Sequence, residues 1–186
     1  PVTEVNWSEF RAVLAANIDG TLAINEAFKA CDWICCFSSS SAILGDFGGC
    51  SYAVGKRYQM ALSALQDGSG PRFIAINWPL WKDGGMGVDN KAFTELYLKS
   101  SGQSWLTEVD GLAAFEAILR NDYPQALVMI GNASRISPFI ERKYRPELQA
   151  LSPAENQITL SSVSNTASVK GDLWRTEIGN LSLVNC

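Results

Sequence analysis

Apolar residues in this chain follow two patterns, stripes at helical spacing and short solid runs. The stripes recur every three to four residues and predict helices at about 6–29, 51–66, 90–100 and 108–120. The solid runs are too short for core helices and predict buried strands at 33–37, 72–78 and 126–131. This alternation of helices and strands predicts an α/β fold with a parallel sheet and crossover helices.

The composition changes after Asn132, where Ser, Asn, Thr, Glu and Gln become frequent. We interpret residues 135–186 as a linker-like segment, with one short helix predicted around 138–151 and weak strand character near 157–163. The chain is therefore divided into a main domain at 1–134 and a C-terminal segment at 135–186.

Charge and cysteine usage narrow the choice of partner and compartment. The net charge is −4 and no Lys/Arg cluster stands out, so we expect neither nucleic acid nor an anionic membrane as a partner. The longest apolar runs, about six residues, are far short of a membrane span. Five cysteines, an odd number, fit the reduced thiols of a cytoplasmic protein better than a disulfide framework.

The chain contains no histidine. This excludes catalytic triads that use histidine and zinc sites rich in histidine. Because no Cys-x-x-Cys pair is present either, we expect no metal site. Acid–base chemistry would have to use tyrosine, lysine or carboxylates.

The most polar strand end is followed by a tyrosine and a lysine on one helix face. Four serines, Ser38 to Ser41, end the first apolar run, and Tyr52 and Lys56 then lie four residues apart. A nearby ammonium favours the phenolate and lowers a tyrosine pKa toward the useful range. A Tyr-x-x-x-Lys pair alone is a weak signal, but a serine thirteen residues before the tyrosine, Ser39, makes the combination specific.

These residues resemble the short-chain dehydrogenases/reductases, and more closely the catalytic C-terminal part of a ketoreductase domain from a modular polyketide synthase. The resemblance covers about residues 5–131, and the segments that carry it are Asp19-Gly-Thr-Leu22, Phe37-Ser-Ser39, Tyr52-Ala-Val-Gly-Lys56 and Asn77-Trp-Pro-Leu-Trp81 through Gly85-Met86. The last segment looks most like synthases that use free-standing acyltransferases. The resemblance implies that residues 1–134 are the catalytic part of such a domain.

The resemblance also implies roles for four residues. Tyr52 would donate the proton to the ketone oxygen, and Ser39 would position that oxygen. Lys56 would hydrogen-bond the nicotinamide ribose and lower the pKa of Tyr52. The resemblance also implies that both residues contact the cofactor. Asn17 falls where the family keeps a polar group that anchors a proton-relay water.

Residues after the second predicted strand match segments that meet cofactor and substrate in the family. The backbone of Pro79 and Leu80 would contact the nicotinamide, and Trp81 and Met86 would border the substrate. For Trp81 and Met86, the alternatives of a core aromatic residue and an ordinary hinge residue stay open.

The chain departs from the family in one respect. Polyketide ketoreductases usually carry lysine on the first helix and asparagine four residues after the tyrosine. Here the two side chains are exchanged, as Asn17 and Lys56, which is the arrangement of ordinary short-chain reductases.

The family's Gly-x-Gly-x-x-Gly turn between a strand and a helix is not found in this sequence. We therefore expect a partial Rossmann-like three-layer fold in which the N-terminal dinucleotide-binding half is absent from the chain. That half and the neighbouring synthase domains are the expected protein partners.

The expected function is NADPH-dependent reduction of the β-keto group of an intermediate bound to an acyl carrier protein, yielding a β-hydroxy group. One alternative is a catalytically silent or structural half of a reductase domain, suggested by the missing glycine-rich turn. A second is a hydrolase with a Ser–Lys dyad, suggested by Ser38–Ser41 and Lys56.

Overall fold

A computed structural model describes residues 5–45, 49–65, 68, 70–84, 91–121, 123–144, 175–178 and 181–185. The five strands of its sheet are β1 (Trp33–Ser39), β2 (Arg72–Trp78), β3 (Gln125–Ile130), β4 (Arg175–Ile178) and β5 (Leu181–Asn185). The first three are parallel, β5 pairs antiparallel with β3, and β4 pairs antiparallel with β5. The sheet order is β1-β2-β3-β5-β4. The predicted α/β fold with parallel strands is confirmed.

Helices connect the strands and cover both faces of the sheet. The helices in the described part of the chain are α1 (Trp7–Asn17), α2 (Asp19–Ala27), α3 (Ser41–Leu44), α4 (Cys50–Ala64), α5 (Lys91–Ser101), α6 (Glu108–Arg120) and α7 (Ala133–Tyr144). None of the helices among these described residues has the length and hydropathy that crossing a bilayer requires.

The core has two halves because successive strand residues point to opposite faces of the sheet. On one face, Ile74 and Ile76 of β2 pack with Ala114 and Ile118 of α6. On the other face, Ala75 packs against α3 and α4, and β3 packs against α7. The predicted three-layer arrangement therefore forms, with the sheet between helices.

The predicted first helix is interrupted at Ile18, which separates α1 from α2. Two side chains bond to backbone carbonyls one turn earlier: the Asn17 amide donates to Val13 O at 2.8 Å, and the Thr21 hydroxyl donates to Asn17 O at 2.6 Å. Such back-bonding often bends a helix, which accounts for the break. The apolar stripe did not reveal it, because Ile18 continues the stripe.

The described stretches after residue 134 are helix and strand that join the main fold. Ile136 and Ile140 of α7 are buried against Leu127 and Met129 of β3. In β5, Leu181 to Asn185 extend the sheet beside β3. The linker-like interpretation therefore does not describe these stretches, although the division at residue 134 stays a prediction. The strand character predicted near 157–163 lies outside the described residues.

Candidate active site

The carboxyl ends of β1 and β2 lie side by side. Their parallel register pairs Ser39 with Trp78, and the Ser40 N–H donates to Trp78 O at 2.9 Å. Pro79 and Leu80 directly follow Trp78, so this segment begins next to Ser39. Open α/β sheets bind their ligands at this carboxyl edge.

The four serines at the end of β1 have different surroundings. Ser38 is buried and its hydroxyl donates to the Lys56 carbonyl at 3.4 Å. Ser39 is half-buried; its hydroxyl donates to Ser41 Oγ at 3.1 Å and accepts from the Ser41 N–H at 3.2 Å. Ser41, which the sequence did not single out, thus fixes the orientation of Ser39. The positioning role assigned to Ser39 stays a prediction.

Tyr52 and Lys56 are brought together by α4, as their spacing predicts. The Lys56 ammonium lies 5.4 Å from the centroid of the Tyr52 ring. It donates to Phe37 O of β1 at 3.1 Å and to Gln59 Oε1 at 3.4 Å. Burial lowers the pKa of Lys56, and the nearby Cys36 acts in the opposite direction. The ammonium is therefore anchored at the end of β1 while it faces the phenol.

Asn17 packs against the same stretch of α4. Gly55 is buried there, and a Cβ atom at this glycine would lie 2.7 Å from the Asn17 Cβ. Only a glycine allows this approach without displacing α1. Gly55 was not among the predicted site residues, although an isolated glycine inside a helical pattern often has a packing reason. The helix thus brings Tyr52, Lys56 and Asn17 into one neighbourhood.

The segment after β2 is held by the chain before α6. The Leu106 N–H donates to Leu80 O, and the Lys82 N–H donates to Leu106 O, both at 2.9 Å. The Trp81 ring is half-buried, lies 5.1 Å from the Trp78 ring, and covers Gly111 so closely that a Cβ atom there would overlap it.

Trp81 therefore packs on the core on the α6 side of the sheet. Its predicted substrate contact stays a prediction, as do the cofactor contacts of Pro79 and Leu80. Met86, the other predicted substrate residue, lies outside the described residues.

Two neighbouring thiols of β1 are held in the protonated form. Burial raises the pKa of Cys36 to about 11, against the opposing effects of Lys56 and of a hydrogen bond with Thr21. Burial, with a smaller contribution from Cys36, raises the pKa of Cys35 to about 12, and Arg72 opposes this rise. Since the thiolate is the reactive form of cysteine, these two residues are expected to be inert.

We expect alkylation at neutral pH to modify exposed Cys31 at least about 100-fold faster than Cys35 or Cys36, because raised pKa values and burial suppress their thiolates. The measurement is tandem mass spectrometry of the tryptic peptide 30–56, which contains all three cysteines, so that fragment ions assign each modified residue after timed labelling. Equal labelling of the three cysteines in the folded chain would contradict this prediction.

The raised pKa values of Cys35 and Cys36 also make the free energy of unfolding depend on pH. Because both pKa values are raised in the folded state, the stability that the two thiols contribute is complete below the unfolded thiol pKa. It is lost as pH rises through about 11 and 12.

Comparison with known proteins identifies the family. Residues 1–83 match the family model described as the KR domain. Polyketide synthase PksM of Bacillus subtilis (strain 168) is 41% identical over 172 residues, which are 88% of this chain and 4% of that protein. Polyketide synthase ThaG of Burkholderia thailandensis is 36% identical over 143 residues, 73% of this chain and 2% of that protein. The chain thus spans only a small part of these relatives.

Solved structures give the same result for the fold. A ketoreductase domain from the bacillaene assembly line superposes with a TM-score of 0.66 and 31% identity, over 74% of this chain and 34% of that one. An N-terminal ketoreductase from the macrolactin assembly line superposes with a TM-score of 0.63 and 27% identity, over 74% of this chain and 27% of that one. Residues 1–83 therefore belong to the KR domain family, and the described fold is that of the ketoreductase domains of polyketide synthases.

Proposed function

We propose that this chain supplies the catalytic part of an NADPH-dependent ketoreductase, which reduces the β-keto group of a polyketide intermediate carried on an acyl carrier protein. Ketoreductase domains of this fold depend on a nicotinamide dinucleotide. The observation that carries the proposal is the Lys56 ammonium facing the Tyr52 ring beside the carboxyl end of β1. Residues 1–134 would provide the catalytic groups, and the synthase would be of the type with free-standing acyltransferases.

The residues present fit the nicotinamide end of such a cofactor. Lys56 provides an ammonium donor suited to ribose hydroxyl groups, and its half-buried position limits competition from water. Pro79 and Leu80 provide a backbone wall that the hydrogen bonds of Leu106 hold in place. The remainder of the dinucleotide would be bound by an N-terminal half of the domain, which we propose as the partner of this chain.

The cofactor would supply a hydride to the ketone carbon. As that carbon accepts the hydride, the ketone oxygen gains negative charge and takes the phenolic proton of Tyr52. The Lys56 ammonium stabilises the charge left on the phenol oxygen, since it lies on the same face of α4. Ser39 would turn its single hydroxyl proton from Ser41 Oγ to the ketone oxygen while it still accepts from the Ser41 N–H, and would so hold that oxygen near Tyr52.

Asn17 would anchor the water through which the phenol regains its proton. The Thr21 hydroxyl bonds to the backbone carbonyl of Asn17, and Gly55 packs closely against its side chain, so that Asn17 is held in place. The alternative of a Ser–Lys hydrolase is not favoured by the hydrogen bonds. Ser38 bonds to the Lys56 carbonyl, whereas the Lys56 ammonium bonds to Phe37 O and Gln59.

The test is an assay of the complete ketoreductase domain that contains this chain, with a β-ketoacyl thioester of N-acetylcysteamine. We expect a β-hydroxy thioester to form in step with cofactor oxidation, with NADPH preferred over NADH. Thioester hydrolysis without cofactor oxidation would support the hydrolase and contradict the proposal. Titration of the isolated chain with NADPH, followed by the fluorescence of its six tryptophans, tests whether this part alone binds the cofactor.

A further inference from the structure

Two buried polar side chains lie between α2 and α4, beside the proposed catalytic groups. Thr21 is 4% exposed and Gln59 is 8% exposed. The Gln59 amide donates to Thr21 Oγ1 at 3.1 Å, and its oxygen accepts from the Lys56 ammonium at 3.4 Å. With the bond from Thr21 to Asn17 O, these contacts form a continuous chain from Lys56 to Asn17.

The direction of every bond in this chain is fixed by its two ends. A backbone carbonyl can only accept, so while the Cys36 thiol is protonated Thr21 must give its single hydroxyl proton to Asn17 O, at 2.6 Å. Thr21 then accepts from Gln59, which requires the amide nitrogen of Gln59 to face Thr21. The amide oxygen is therefore left facing Lys56, whose ammonium can only donate. The orientation of Gln59 thus follows from its partners.

We propose that Gln59 and Thr21 are positioning residues of the ketoreductase, forming a bridge that holds the Lys56 ammonium in place relative to Asn17 and the end of β1. The inference rests on the proposed role of Lys56 in the reaction. A free lysine side chain has many rotamers, and fixing it in one of them costs conformational entropy. Two acceptors, Phe37 O on the strand and Gln59 Oε1 on the next helical turn, define one position for the ammonium.

The bridge crosses the helix break at Ile18. Gln59 lies on the same helix as Lys56, and Thr21 lies in α2, just past the break, where its hydroxyl bonds to the carbonyl of Asn17, the last residue of α1. The bridge therefore connects the helix that carries Lys56 to the helix that carries Asn17.

The groups around Lys56 allow its pKa to report whether the bridge is present. Among the described residues, the contacts of the ammonium are Phe37 O and the Gln59 amide, with the Tyr52 ring of its own helix and the Cys36 thiol of β1 nearby. Cys36 is uncharged at neutral pH, because burial raises its pKa to about 11. A carboxylate at position 59 would thus be a new full charge beside the ammonium, and an apolar side chain would remove an acceptor.

The experiment compares Gln59→Met and Gln59→Glu, two substitutions of nearly equal size, in the complete ketoreductase domain. The Lys56 pKa is followed by NMR of ¹³C-labelled lysine side chains, with the signal assigned by its loss in Lys56→Arg. We expect a lower Lys56 pKa in Gln59→Met and a higher one in Gln59→Glu. The alkaline limb of the pH–rate profile should move in the same two directions, and kcat of Gln59→Met at neutral pH should fall about tenfold.

The matched control is Gln125→Met, which removes another buried amide that bonds to α4, through Met60 O at 2.9 Å. It should lower the melting temperature without moving the Lys56 titration. Thr21→Val should lower the Lys56 pKa less than Gln59→Met does, and Thr21→Ser, which keeps the hydroxyl, should restore it.

The outcomes separate the bridge from the proposed function. Equal Lys56 titrations in wild type, Gln59→Met and Gln59→Glu would overturn the bridge, even if these variants lost stability. Shifts of opposite sign in a domain that reduces no β-keto thioester would leave the bridge standing and contradict the proposed function.

Discussion

Replacement of Tyr52 by phenylalanine in the complete ketoreductase domain is expected to lower kcat by about 10²–10⁴-fold, the usual contribution of a general acid. The substitution removes only the phenolic oxygen, so the ring can keep its place on α4 beside the Lys56 ammonium. The proton that the ketone oxygen needs would then have to come from water. Lys56 neither holds that water in place nor lowers its pKa. The measurement is steady-state reduction of a β-ketoacyl thioester with NADPH.

Tyr58→Phe is the matched control, because it removes the same oxygen from a half-buried tyrosine on the same helix. Its kcat should stay within about twofold of wild type, in the range of ordinary substitutions away from a site. Tyr58→Phe should bind NADPH with nearly unchanged affinity, and both variants should keep the wild-type circular dichroism spectrum. Undiminished turnover by Tyr52→Phe would rule Tyr52 out as the proton donor.

Gly55→Ala is expected to lower kcat by about 10- to 100-fold through geometry alone. The new Cβ atom would lie 2.7 Å from the Asn17 Cβ, a contact that α1 and α4 can relieve only by moving apart. Misplacement of a catalytic group by about 1 Å can cost about 100-fold in rate. The measurement is kcat with NADPH and a β-ketoacyl thioester, beside the free energy of unfolding from urea titration.

Gly20→Ala controls for the effect of alanine on the helix itself. Gly20 is also helical, but its added Cβ would find its nearest neighbour, Ala15 O, at 3.8 Å, which is ordinary contact. Alanine is favoured over glycine in a helix by about 1 kcal/mol, so this variant should gain stability and keep its kcat. If Gly55→Ala were as active as Gly20→Ala, the close packing of Asn17 on α4 would be irrelevant to the reaction.

Much of the fold could be predicted from local patterns. The strands at β1, β2 and β3 are short solid apolar runs, and α4, α5 and α6 follow their apolar stripes to within a few residues. The pairing of β5 with β3 could not be predicted, because it joins segments far apart in the chain, and local composition carries no information on such register. The break at Ile18 was hidden because its cause, hydrogen bonds of Asn17 and Thr21, is polar.

The candidate site was predicted unevenly for a similar reason. Tyr52 and Lys56 follow from helical spacing, and the structure places the ammonium against the ring. Gln59 and Thr21 were not predicted as site residues, since a polar residue in a helical pattern is normally assigned to the solvent face. Their burial depends on how α2 packs beside α4, which the sequence alone does not show.

The antiparallel position of β5 has a consequence for how the sheet is completed during folding. The β1–β2 pair needs one crossover, but β3 reaches β5 only after the chain has passed through α7, residues 145–174 and β4. Pairing two strands that lie so far apart in the sequence costs entropy that is repaid only when β5 docks. Until Leu181 to Asn185 leave the ribosome, that edge of β3 remains unpaired and open to strands of other chains. Docking of β5 thus doubles as protection against aggregation of a newly made chain.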